Sequence, residues 1–297
     1  MRSFKAKRYG VINDMELRHP RTQALYWSLF AILMIIAALC ILPPIWILLS
    51  SMKNVRELFS VPPTLIPQTW EPEKLVETWE KLNFWTYYRN TFIVLGGTLV
   101  VSLFLNSIMG FFLAKLRPRG SGFLFVLMLW TMMLPNSISM VPLYQNLVSF
   151  PVLGVNLTNT YIPLWLMAGS NAFFVIVYKG FFDAIPDELI DSGRLDGCTN
   201  LQIFSRIILP VSKPVILATS ILVMNHAWSD FFWPFLILEE DRLQTVIVKI
   251  YNMSGPQGFT VDQTLVATTF AIVPPVLLFL VFQKYIMTGF TLSGIKG

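Results

Sequence analysis

The sequence predicts an all-α integral membrane protein with six transmembrane helices, and three observations lead there. The 297 residues are 55% hydrophobic and only 13% charged, whereas soluble domains carry about 25% charged residues. Six apolar stretches (25–51, 90–114, 122–142, 160–179, 214–238 and 264–286) reach the roughly 20 residues needed to cross a bilayer core. Charge avoids them. Lys179 and Lys284 sit at the edges of two stretches, Asp230 is the one acid inside any, and every other charged residue lies outside.

Residues 1–24 form a polar segment rich in Arg and Lys, read as cytoplasmic. The first stretch is too long for the 7–15-residue apolar region of a cleaved leader. No small-residue cleavage site follows it, so it is read as a retained span. The third stretch is interrupted at Pro135-Asn136-Ser137, and Pro163, Pro234, Pro274 and Pro275 interrupt others. Membranes tolerate such breaks where neighbouring helices or a watery cavity satisfy the freed backbone groups.

With six spans both termini share a side, and that side collects about twice as many Lys and Arg as the other; the positive-inside rule makes it cytoplasmic. The short loop Lys115–Arg119 is the clearest vote, since its charged residues are all basic. The net charge of +5 therefore reports orientation, and no nucleic-acid partner is implied. Cys40 and Cys198 lie far apart in different surroundings, so neither a disulfide framework nor a zinc cluster is available. The spans hold one His and one Asp, too few for metal or acid–base catalysis at membrane depth.

Between spans four and five lies an inner segment, residues 180–213, that reads as two short helices joined at a glycine. Pro186 suits a first helical position, and Asp187 and Glu188 favour the positive end of the helix. Gly197 can take the left-handed conformation that ends it. Thr199 then offers an N-cap, with Gln202 three residues on completing a capping box. Leu201, Phe204 and Ile208 form an apolar stripe too short to span a bilayer. On helix chemistry alone, this segment either rests on the bilayer surface or docks a soluble partner.

A pattern match separates these. Asp191-Ser192-Gly193, three residues, Gly197, nine residues and Ile207-x-Leu209-Pro210 resemble the Glu-Ala-Ala, Gly, Ile-x-Leu-Pro loop of ABC importer permeases, interval for interval. Arg89-Asn90-Thr91 resembles the Asn-Ser/Thr start of that family's core. Trp228-Ser229-Asp230-Phe231-Phe232-Trp233-Pro234 is similar to the Trp-Asn-Asp-Phe-x-Trp-Pro of its carbohydrate branch. The ending Gly294-Ile295-Lys296-Gly297 is similar to that of the maltose-type second permease. The chain is thus identified as resembling the binding-protein-dependent carbohydrate importers, with residues 25–297 as a type I ABC importer permease core.

The resemblance implies partners: a second homologous permease, two cytoplasmic ATPase subunits, an extracytoplasmic solute-binding protein and a sugar substrate. The sequence has no Gly-Lys pair, so a P-loop is absent; ATP and its Mg are expected on the partner ATPase, with no cofactor or metal bound by this chain. The coupling helix is expected near 186–198. There Asp191 would pair with a basic residue of the ATPase, Gly197 would set the turn, and Leu189, Leu201 and Phe204 would be apolar anchors. Gly193, Asp196, Leu209 and Pro210 complete the expected ATPase-coupling set, and the tail 287–297 is expected nearby.

Polar residues at membrane depth usually face a bundle interior or cavity. Asn136, Asn171, Asn225, Trp228, Ser229 and Asp230 are accordingly the candidates for the substrate path. Interhelical packing is the competing role for each. A secondary transporter would explain the spans but not the inner-loop pattern, and a polyol, glycerol phosphate or an acidic oligosaccharide is the alternative cargo.

Overall fold

The computed structural model describes residues 20–151, 154–254 and 260–293; side chains are described for these except Asn136 and residues 284–293. Most of the N-terminal segment, Gly255-Pro256 and the ending Gly294–Gly297 lie outside the described residues. Those described fold into helices and connecting turns, with no strand among them.

Helix α1 (Pro20–Ser50) is apolar all round and only its last residue is buried. It runs along the last helix at the edge of the bundle, as expected for a span facing lipid. The outer segment that follows carries α2 (Val55–Leu58) and α3 (Glu73–Lys81). Helix α4 (Phe84–Phe111) continues through a π-turn (Phe112–Leu116) and is the central post of the fold. Against it pack α7 (Ile162–Gly169), α8 (Ala172–Asp183) and α12 (Lys213–Ser229). Gly110 lets α4 and α8 touch: a Cβ there would lie 2.6 Å from Tyr178 Cβ.

Among the described residues, three helices are individually long and apolar enough to cross a membrane: Pro20–Ser50, Phe84–Leu116 and Val261–Gln283. Bent helix pairs raise the number to as many as six. The expected third span is one such pair. Helix α5 (Ser121–Met133) and α6 (Asn136–Val148) meet at 105° rather than forming one rod; Pro135 has no N–H to continue the ladder. Helices α7 and α8, the expected fourth span, bend by 42° at Ser170-Asn171. The inner segment supplies α9 (Glu188–Leu195), α10 (Asn200–Ile203), a π-turn (Phe204–Ile208) and α11 (Leu209–Val211). This arm turns 82° into α12. The expected fifth span stops at Ser229 and resumes as α13 (Phe232–Ile237); α14 (Val246–Met253) and α15 (Val261–Ser293) follow.

The two ends of the bundle are built differently. At one end, Asn90 Nδ2 donates to the Arg242 and Gln244 carbonyls at 2.8 and 3.0 Å, and Thr91 Oγ1 accepts from the Val246 N–H at 3.0 Å. Tyr87 adds a 2.8 Å bond to Asp241. The Asn-Thr pair at the start of α4 thus pins the segment between α13 and α14. The opposite end joins the basic loop after α4 to the inner segment.

Candidate functional site

That second end presents a protruding knuckle. Helix α9 begins at Glu188, two residues later than Pro186 suggests, and Asp187 does not cap it with its side chain. The Asp187 carboxylate instead accepts from Lys115 Nζ at 2.5 Å, and the same ammonium donates to the Ile185 carbonyl at 2.6 Å. The hydrogen bond and the charge of Lys115 hold the Asp187 pKa below the ordinary carboxylate value, against desolvation. Arg117 and Lys179 reach Asp183 at 3.6 and 2.6 Å. The basic loop therefore grips the base of the knuckle through two acids.

Gly197 ends the helix at φ +77°, a conformation costly to residues with a Cβ. The capping box then forms in full: Thr199 Oγ1 accepts from the Gln202 N–H at 3.3 Å and Gln202 Oε1 from the Thr199 N–H at 2.8 Å. Beneath the turn, Ile190, Ile203, Phe204 and Ile208 join Phe111, Tyr178 and Phe182 in a buried cluster. The knuckle is a rigid extension of the α4–α8 core.

The expected coupling residues divide between surface and core. Leu189, Asp191, Asp196, Gly197, Leu201 and Pro210 are exposed. Among the described residues Asp191 is paired with Arg194 at 3.4 Å, one turn along, and its side chain is 67% exposed. Phe204 requires correction: at 3% exposure, packed on Phe111, it fills this chain's own core and not a groove elsewhere. Gly193 is buried, and a Cβ there would meet Ile207 Cδ1 at 2.7 Å; Leu209 is partly buried on the same core. The sequence reading missed Leu195, which is 89% exposed between Arg194 and Asp196 on the same turn. It lies off the stripe whose spacing drew attention.

The candidate path residues scatter. The Asn136 side chain lies outside the described residues. Asn171 caps α8, its side chain accepting from the Phe174 N–H at 3.4 Å, and its own N–H donates to Asn106 Oδ1 at 3.1 Å. Fully buried Asn106 also donates to the Ala168 carbonyl and to Ser102 Oγ, both at 2.9 Å. It thereby satisfies backbone on both sides of the break between α7 and α8. Asn225 and Ser229 are exposed, and Asn225 is the polar member of a cleft of about 230 Å³ between α12 and α15.

One more correction concerns α12. Trp228 is 2% exposed and lines no open path; its Nε1 donates to the Ala271 carbonyl at 3.0 Å. Asp230 stands at the break between α12 and α13, in the position that closes α12, with its carboxylate beside the Trp233 and Phe232 backbone N–H groups.

Broken apolar helices around a central post, with a packed knuckle at one end, define a helical membrane protein. Residues 106–291 match the family described as the binding-protein-dependent transport system inner membrane component, and the chain belongs to that family. It is 30% identical over 284 residues to the arabinooligosaccharides transport system permease protein AraQ of Halalkalibacterium halodurans, covering 95% of this chain and all of that one. It is 26% identical over 282 residues to the melibiose/raffinose/stachyose import permease protein MelC of Bacillus subtilis, covering 95% and 100%. The fold matches a chain of a bacterial ABC transporter that imports the acidic polysaccharide alginate, with TM-score 0.78, 22% identity and coverage of 90% and 98%.

Proposed function

We propose that this chain is half of the translocation path of an ATP-driven importer for an uncharged oligosaccharide. The observation that carries the coupling part is the knuckle 188–203. Its turn is conformationally fixed, its base is ion-paired, and its surface presents Leu189, Leu195 and Leu201 beside Asp191. Exposed leucines ringed by charge suit a groove in a soluble subunit better than water. The partners in this reading are a second homologous permease, two ATPase subunits carrying ATP and Mg, and an outer solute-binding protein. Both termini and the knuckle face the cytoplasm of a bacterial cell.

The cargo reading is supported by relatives whose names specify arabinooligosaccharides and melibiose, raffinose and stachyose. The uncharged Asn225 and Ser229 exposed on α12 suit hydroxyl-rich solutes.

The test is reconstitution of the permease pair with its ATPases and binding protein in vesicles. Labelled neutral oligosaccharide should enter only with ATP on the knuckle side, and Gly197→Pro or Asp191→Lys should uncouple hydrolysis from uptake while assembly partly survives. Full uptake without the ATPases would remove the coupling reading. Uptake restricted to anionic saccharides would replace the cargo.

A further inference from the structure

Pro274 and Pro275 lie inside α15. A proline has no N–H, so each leaves the carbonyl four residues earlier without its helical partner. Those carbonyls belong to Phe270 and Ala271. They are the same two that accept side-chain bonds from other helices: Tyr88 Oη of α4 donates to the Phe270 oxygen at 2.6 Å, and Trp228 Nε1 of α12 to the Ala271 oxygen at 3.0 Å. Water is scarce at membrane depth, so nothing else nearby replaces a lost helical bond cheaply. The two donors also brace one another. Their rings meet edge-on at 5.8 Å, and Phe92 contacts Trp228 at 5.6 Å.

We propose that Tyr88 and Trp228 are positioning residues for transport, a two-point latch that makes the diproline turn of the last span move with α4 and α12. A turn lacking two of its own hydrogen bonds is where α15 yields first under load. Helix α12 leaves the knuckle arm at Lys213 and ends one residue beyond Trp228. A displacement of the knuckle is therefore delivered to α15 through this tryptophan. The inference rests on the coupling reading above for what drives the motion, but the latch is a property of this chain alone.

Each donor has one cognate proline, which makes the test selective. Tyr88→Phe keeps the ring and removes only the hydroxyl donor, whereas Trp228→Phe removes the indole N–H together with part of the ring; selective rescue by the cognate proline separates the lost donor from the lost volume. In the reconstituted complex each should lower solute moved per ATP hydrolysed by about threefold, the effect of one average interhelical hydrogen bond in a membrane. Adding Pro275→Ala to Trp228→Phe should restore coupling, because the substituted residue supplies an N–H to the Ala271 carbonyl, whereas Pro274→Ala should not. The pairing reverses for Tyr88→Phe. Unchanged single variants, or equal rescue by both prolines, would overturn the latch. If a single variant fails to assemble, assembly restored only by its cognate proline change supports the latch, and non-selective restoration overturns it. A wild-type complex that moves no solute with ATP would sink the coupling reading instead. Amide exchange across 271–279 in the full chain in lipid discs then reads the latch directly. Faster exchange in each single variant, reversed only by its cognate partner, supports it; any other pattern overturns it.

Discussion

Lys115 Nζ lies 2.5 Å from Asp187 Oδ1, joining residues 72 positions apart, and the lysine side chain is only 1% exposed while the aspartate is 61% exposed. A buried ammonium needs its full set of acceptors, and the Ile185 carbonyl supplies another at 2.6 Å. The first turn of α9 is thereby fixed to the end of α4. Lys115→Met keeps the apolar stem and removes the grip. It should lower ATP-coupled uptake by about twofold to thirtyfold, the range for residues that carry coupling between sites, with assembly largely retained. Uptake and complex yield measured together check this; wild-type uptake would show the clamp to be idle.

The same pair sets a pH dependence. The Asp187 pKa is lowered in the folded chain, first by the hydrogen bond from Lys115 and then by its charge. A depressed carboxylate contributes its stabilisation fully above its unfolded pKa and loses it as pH falls through the folded value. The knuckle should therefore stay docked from neutral pH down to about pH 4 and loosen below that. Amide exchange of residues 185–197 in lipid discs reads the step. Lys115→Met should abolish it, and an acid step that persists in that variant would assign it to another group.

Gly193 and Gly197 are four residues apart and answer substitution differently. Nothing lies within 4 Å of a Cβ built on Gly197, but its φ is +77°. Gly197→Ala should cost about 1–2 kcal/mol from backbone conformation alone, and Gly197→Asn less. At Gly193 the backbone is ordinary helix and the constraint is Ile207 Cδ1 at 2.7 Å with Ile203 behind it. Alanine gains about 1 kcal/mol of helix propensity, offset by about 0.5–1.5 kcal/mol if Ile207 must leave its rotamer, so Gly193→Ala should be near neutral. Gly193→Leu overpacks the site and should destabilise by about 1–3 kcal/mol. Thermal melts of the purified complex rank the four. An Asn at 197 as harmful as an Ala would refute the conformational argument.

These glycines also mark what sequence can and cannot convey. The Gly197 turn and the Thr199–Gln202 box were legible because both are set within four residues. The orientation of Phe204 was not. It is buried with Ile203 and Ile208 while Leu201 on the same stripe is exposed, and its partner Phe111 comes from a distant helix. Trp228 and Asp230 were legible as unusual residues in a span. The role of Trp228 depends on an Ala271 carbonyl that no local pattern announces. The basic loop was readable as a vote on sidedness, but its grip on Asp183 and Asp187 is a tertiary fact.

Asn106 offers the largest stability effect. Its amide satisfies the Ala168 carbonyl and the Asn171 N–H on either side of the 42° break. Asn106→Leu strands both, at about 1–3 kcal/mol for each buried group left unpaired. The variant complex should melt clearly lower than wild type and dissociate earlier in detergent. An unchanged melt would mean that the α7–α8 break is held by packing alone.

Asp230 separates a structural charge from a transport charge. Its carboxylate lies beside the Trp233 and Phe232 N–H groups at the start of α13, and a capping role there would need an oxygen acceptor but no net charge. Asparagine supplies that acceptor and caps about as well as aspartate, whereas alanine costs about 1 kcal/mol. Asp230→Asn should therefore leave uptake near wild type, and Asp230→Ala should weaken α13 and reduce uptake in proportion to lost assembly. Uptake normalised to assembled complex distinguishes the roles. If Asn and Ala at this position abolish transport equally while complexes form normally, the charge itself belongs to the path and capping is secondary.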